Sequence, residues 1–206
     1  MILSAAIGWR TDAVATTANA SDVDPARAIR LIAALNDCIQ ERFRKVEERF
    51  GMSRIVRIGE TPHVFRPEDT VETRAVGDLE AANLEVVLYV AGRTVQRPRV
   101  DTSRWSPADA WRLVKGPVAI TRSSRSTGIA PRVAPDEPPA SLDLWDEGRR
   151  AFQAFDTRNS HEFQMGSWRF IAKPVRASDV VCLTCHDSSV RLGDPLGVVL
   201  YGYRAR

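Results

Sequence analysis

The chain has 206 residues, 44% hydrophobic and 27% charged, with a formal net charge of +3. That length carries one domain with a real core, or one domain with long decorations. The charge is too small to argue for nucleic acid, no arginine cluster interleaves with aromatics as a base-stacking surface would require, and no apolar run approaches a membrane span.

Met1 to Trp9 is apolar but short, and Arg10 and Asp12 close it; a secretory signal needs a basic start and a longer apolar core. Ala18-Asn19-Ala20 before Ser21 is the kind of small-residue site at which such signals are cut. Residues 1–23 are therefore either the remnant of an export signal or a disordered tail, and residues 24–206 are expected to form one domain.

From Asp24, a capping residue followed by Pro25, the chain predicts a long helix ending at Gly51. Ile32, Leu35, Ile39, Phe43, Val46 and Phe50 recur every three or four residues and make its apolar stripe. Cys38 sits at the edge of that stripe. It reads either as a small core thiol, the common fate of a free cysteine, or as a thiolate ligand held by a rigid helix.

Residues 52–80, with Pro62 and Pro67, predict a connector with one or two strands, and His63 falls in it as a surface imidazole. Leu84 to Val90 is a strand closing at Gly92. Ser106-Pro107 opens a short helix with Trp105, Trp111 and Leu113 available for packing, and Pro117 to Thr121 is a short strand. Arg122 to Pro139 is a loop without a core of its own. Ser141 caps a second helix whose buried face is Trp145, Phe152 and Phe155. Glu162 to Lys173 makes a hairpin with Gly166-Ser167 in its tight turn, and Leu196 to Tyr203 is the last strand after Gly193-Asp194-Pro195.

Between hairpin and last strand lies Cys182-Leu183-Thr184-Cys185-His186. This is the spacing of a c-type haem attachment site, in which two thiols join the vinyl groups of one porphyrin and the next histidine binds iron from the proximal side. Two other chemistries use such a cysteine pair. A thiol-redox pair needs a βαβ setting and gains nothing from the histidine. A structural zinc wants four ligands, and Cys38, His63 and His161 are isolated and distant in sequence. Covalent haem c is the preferred reading, with zinc binding or thiol redox chemistry as the alternative. Bacterial haem attachment takes place outside the cytoplasm, so the motif, more than the N-terminus, predicts a periplasmic or otherwise extracytoplasmic protein.

The order helix, helix, hairpin, haem motif and final strand resembles the PAS-like c-type haem domain of bacteria, long catalogued as a domain of unknown function. That family occurs as free exported proteins and as the sensory part of signalling kinases. The resemblance is carried by Trp168 to Val175, a strand that ends in a proline before the motif, by Cys182 to His186, and by Gly193-Asp194-Pro195-Leu196-Gly197-Val198. Asp187 stands where the family usually has glycine, Arg132 to Pro135 is at best a trace of its Arg-Asn-Pro stretch, and residues 52–130 match nothing in it, so they read as an unplaced insertion. The resemblance implies an α+β fold, an antiparallel sheet flanked by helices, holding one haem. It also implies a distal axial cysteine on a long N-terminal helix, the position of Cys38 here.

The other distal candidates are Met165, His161 and His63, and water or no ligand is a further alternative. A histidine–methionine pair raises the reduction potential and suits a carrier, whereas a thiolate stabilises ferric iron and suits a sensor. Cys38 is favoured, with Arg42 one turn away to hold it as thiolate. Arg169 and Arg176 are candidate propionate partners. The expected function is a monohaem binding protein that transfers electrons to a redox partner or senses redox state or a diatomic gas. Peroxide chemistry or thiol exchange lacks its further residues, so no enzyme is expected.

Overall fold

The computed structural model describes residues 24–44, 64–93, 111–121, 138–139, 144–183 and 190–205. Within these, helix α1 (Pro25–Arg44) and helix α2 (Thr70–Ala81) precede strands β1 (Leu84–Arg93) and β2 (Trp111–Ala119). Helix α3 (Trp145–Ala154), the β3 (His161–Met165) and β4 (Trp168–Arg176) hairpin, the single turn α4 (Val180–Leu183) and β5 (Pro195–Ala205) follow. The strands form one five-stranded antiparallel sheet in the order β2-β1-β5-β4-β3. This is the α+β architecture expected, an antiparallel sheet with helices against it.

Both faces of the sheet are covered. Val86, Leu88 and Val90 of β1 join Ile32, Leu35 and Ile39 of α1 and Val76 and Leu79 of α2 in one apolar cluster. The alternate residues Val87, Tyr89 and Ala91 join Leu144, Ala151 and Phe155 around α3 in the other. Successive side chains of a strand point to opposite faces, so a strand covered twice must be apolar throughout. That is why β5 reads Val198-Val199-Leu200-Tyr201, all buried, with no polar alternation.

α1 begins as the sequence predicts: Asp24 Oδ1 accepts from the Ala26 amide at 3.0 Å, and Ala28, Ile32, Leu35 and Ile39 are its buried residues. Val46, Phe50 and Gly51 lie outside the described residues, as do His63, Trp105, Ser106, Pro107, Ser141 and Arg132 to Pro135. The Gly166-Ser167 turn joins β3 and β4 as expected, with Gly166 at φ +59°. Pro174 is tolerated in β4 because β3 pairs only as far as Ala172, which leaves that side of the strand without a partner.

Four expectations change. Residues 70–81, read as part of a connector with one or two strands, are helix: Asp69 Oδ1 accepts from the Val71 and Glu72 amides, each at 2.9 Å, and Asn83 at φ 57° takes the chain out into β1. Trp111 and Leu113 belong to β2, not to a helix, because pairing with β1 overrides local preference. α3 starts at Trp145 with Leu144 in the capping position and no side-chain cap. The stretch read as an insertion, 52–130, supplies α2 and two of the five strands through residues 64–93 and 111–121.

Candidate functional site

β4 delivers the chain to the motif, and β5 takes it away. Between them the backbone is pinched shut. The Ala177 amide donates to the Asp194 carbonyl at 2.9 Å, and the Gly193 amide donates to the Ala177 carbonyl at 2.8 Å. Asp194 Oδ2 accepts from the Arg191 amide at 2.8 Å, and Gly193 takes φ +91°, a turn conformation that favours glycine. Cys182 stands in this loop on α4, its amide bonded to the Asp179 carbonyl at 2.9 Å. The residue is buried, makes no disulfide and belongs to neither sheet-face cluster. Thr184, Cys185, His186 and Asp187 lie outside the described residues.

Does the loop suit a porphyrin? Among the described residues the exposed large apolar side chains are Val71, Val180 and Leu192, and two of these three stand on this loop. Single exposed apolar residues are ordinary, but two on one pinched loop leave apolar surface for an attached group to cover. Cys182, which forms no disulfide, stands between them in the sequence. No group of three or more His, Cys, Asp or Glu able to hold a metal ion occurs among the described residues.

Arg176, a candidate propionate partner, is engaged by acceptors within the protein. Its Nη1 donates to the Gly193 carbonyl at 2.8 Å, and its Nη2 to the Phe155 carbonyl and Asn159 Oδ1, both at 2.9 Å. The guanidinium ties the base of the loop to the C-terminal end of α3. No feature of the sequence signals this, because it depends on which turn the fold brings against the end of β4. Arg169 stands seven residues up β4, roughly 23 Å of strand from Arg176. It is exposed and hydrogen-bonds Tyr203.

Cys38 is half-buried on α1. Burial and the carboxylates of Glu72, Asp69 and Asp37 push its thiol above the ordinary range. The support expected from Arg42 goes elsewhere. That guanidinium is bonded to both carboxylate oxygens of Glu72 and to the Arg66 carbonyl, and lies 4.5 Å from the Phe65 ring centroid. The opposite flank of α1 touches the strand that leads to the motif. Gln40 Nε2 donates to the Pro174 carbonyl at 3.0 Å, and Asn36 Oδ1 accepts from the Tyr201 hydroxyl at 3.1 Å. At 3.6 residues per turn, Cys38 is about 200° around the helix from Gln40 and about 40° from Arg42.

His161 and Met165 lie against the other sheet face. His161 pairs with Ala172, and its buried Nε2 has no hydrogen-bond partner, with Glu147 Oε2 at 3.6 Å. Met165 sits at the hairpin tip opposite Trp168, at the far end of β4 from the motif. The sheet separates Cys38 from both, so one iron cannot draw ligands from the two sets. No helix among the described residues is long and apolar enough to cross a membrane.

No protein-family model, curated protein or solved structure matches this chain.

Proposed function

We propose that this chain is a monohaem c-type cytochrome-like protein, exported to the periplasm or another extracytoplasmic space. In this reading it carries one covalent haem c for electron transfer or for sensing redox state or a diatomic gas. The observation that carries the reading is Cys182-Leu183-Thr184-Cys185-His186, with Cys182 unoxidised on a loop closed at its base and bearing exposed Val180 and Leu192. Cys182 and Cys185 would hold the porphyrin and His186 its iron; bound there, the group supplies a one-electron couple. The protein's own contribution is to present Cys182 on a pinned loop outside the two apolar clusters of the sheet.

Kinship with the PAS-like haem domains is part of the proposal. It is supported by the antiparallel order β2-β1-β5-β4-β3, by helices against both faces, and by a long N-terminal helix bearing a cysteine. For the distal position we retain Cys38. Among Asp37, Asp69 and Glu72 its thiolate is disfavoured, and a coordinating metal, which deprotonates a thiol outright, would reverse that.

The test is protein produced with haem-maturation machinery and examined in alkaline pyridine with dithionite. A haem c band in stoichiometric amount that survives denaturation supports the reading. Colourless protein with both thiols of the motif titratable, or with stoichiometric zinc, removes it in favour of the zinc or thiol-redox alternative.

A further inference from the structure

We propose that Arg176 is a positioning residue for the loop that carries Cys182: it sets where that loop stands relative to α3, and so tunes a group attached there without touching it. The inference rests on the haem reading above. It starts from a junction at which three segments meet. Arg176 ends β4, Phe155 and Asn159 lie at and just beyond the end of α3, and Gly193 closes the loop on its return to β5. Two separate nitrogens of one guanidinium hold the two sides, Nη1 the loop and Nη2 the α3 side. The backbone bonds between Ala177, Gly193 and Asp194 close the loop on itself, but they do not attach it to α3. The guanidinium of Arg176 spans both parts.

The acceptors decide the chemistry. They are carbonyl and amide oxygens, which need directed N–H groups from a planar fork rather than a positive charge. A propionate partner would behave otherwise, because a lysine ammonium within reach also pairs with a carboxylate. Lysine therefore separates the two roles: it keeps the charge but cannot reach both sides from one compact ammonium. Ligand-supporting residues that make no contact with a metal still set its properties by orienting what does.

The experiment compares wild type, Arg176→Lys and Arg176→Ala, each made with haem-maturation machinery. Covalent haem content is measured first, then the ferrous to ferric ratio at fixed applied potential, then amide exchange. Both variants are expected to shift that ratio in the same direction by about threefold or more, on a scale where tenfold is 59 mV for one electron. In both, the amides of Ala177 and Gly193 should exchange faster than in wild type, while those of β1 and β5 stay protected. Wild-type behaviour in Arg176→Lys would overturn the proposal in favour of a charge role. A lowered melting temperature with an unchanged ratio would overturn it in favour of a purely structural one. Wild-type protein without covalent haem would instead remove the functional reading and this inference with it.

Discussion

Glu72 of α2 receives Arg42 of α1 through both of its carboxylate oxygens, and both side chains are almost wholly buried, 4% and 7% exposed. Glu72 also accepts from the Glu68 amide at 2.6 Å, so one carboxylate joins the start of α2 to the far turn of α1. A buried pair of this kind adds little over an apolar replacement but is costly to break from one side. Arg42→Ala is expected to destabilise by about 3–5 kcal/mol, since it strands the buried carboxylate. Arg42→Met with Glu72→Leu should recover most of that loss. Urea unfolding of Arg42→Met, Glu72→Leu and the double variant measures the coupling; additive losses would contradict a cooperative pair.

Gly202 in the central strand β5 leaves room for the Phe170 ring. A Cβ there would stand 2.7 Å from Phe170 Cε1 and 3.0 Å from Val87 Cγ2. Phe170 is itself stacked on Phe163 at 4.8 Å, so it has little freedom to withdraw. Gly202→Ala is expected to cost about 1–3 kcal/mol by overpacking. Adding Phe170→Leu should make the combined loss smaller than the sum of the two. Thermal or urea unfolding checks it, and strict additivity would exclude the clash as the cause.

Tyr201 gives a stability change at alkaline pH. Burial, and then the Asp37 and Cys38 charges, raise its hydroxyl well above the ordinary tyrosine value of 10.0. Above about pH 10 the unfolded chain releases this proton while the folded one keeps it, so the folded state binds more protons and stability falls as pH rises. Below pH 10 the contribution is fully present. Tyr201→Phe removes the hydrogen bond to Asn36, a loss of about 1 kcal/mol at neutral pH. Asn36 Oδ1 keeps the Gln40 amide as a donor, so it is not left unpaired. The variant should also lose stability less steeply above pH 10, in urea melts taken between pH 7 and 11. Parallel pH profiles for the two proteins would show that Tyr201 is not the titrating group.

The ferric spectrum of haem-loaded Cys38→Ser tests the distal assignment. Replacement of the thiolate-ligated low-spin form is expected, together with a raised midpoint potential, because thiolate stabilises ferric iron. An unchanged low-spin spectrum would remove Cys38. Since His161 and Met165 lie on the opposite face of the sheet, the same spectrum in His161→Gln and Met165→Leu would then identify which face the iron uses.

What the sequence by itself determined is what short-range chemistry controls. Asp24 and Pro25 with a 3.6-residue apolar stripe specify α1, and Gly166-Ser167 between alternating residues specifies the hairpin. An unbroken apolar run specifies β5 as a strand covered on both faces. The proposed haem site was legible at the same short range, because the attachment we propose depends on the spacing of five consecutive residues. α2 was legible in Asp69-Thr70-Val71-Glu72, a cap with a carboxylate three residues on, although Gly77 and the β-branched residues around it mask the helical period. The tertiary structure alone decided that Trp111 and Leu113 lie in a strand, that Arg42 serves Glu72 rather than Cys38, and that Arg176 ties the loop to α3. Each of these depends on a partner from another part of the chain, and periodicity or local spacing carries no information about which distant carboxylate, carbonyl or strand edge will be brought alongside.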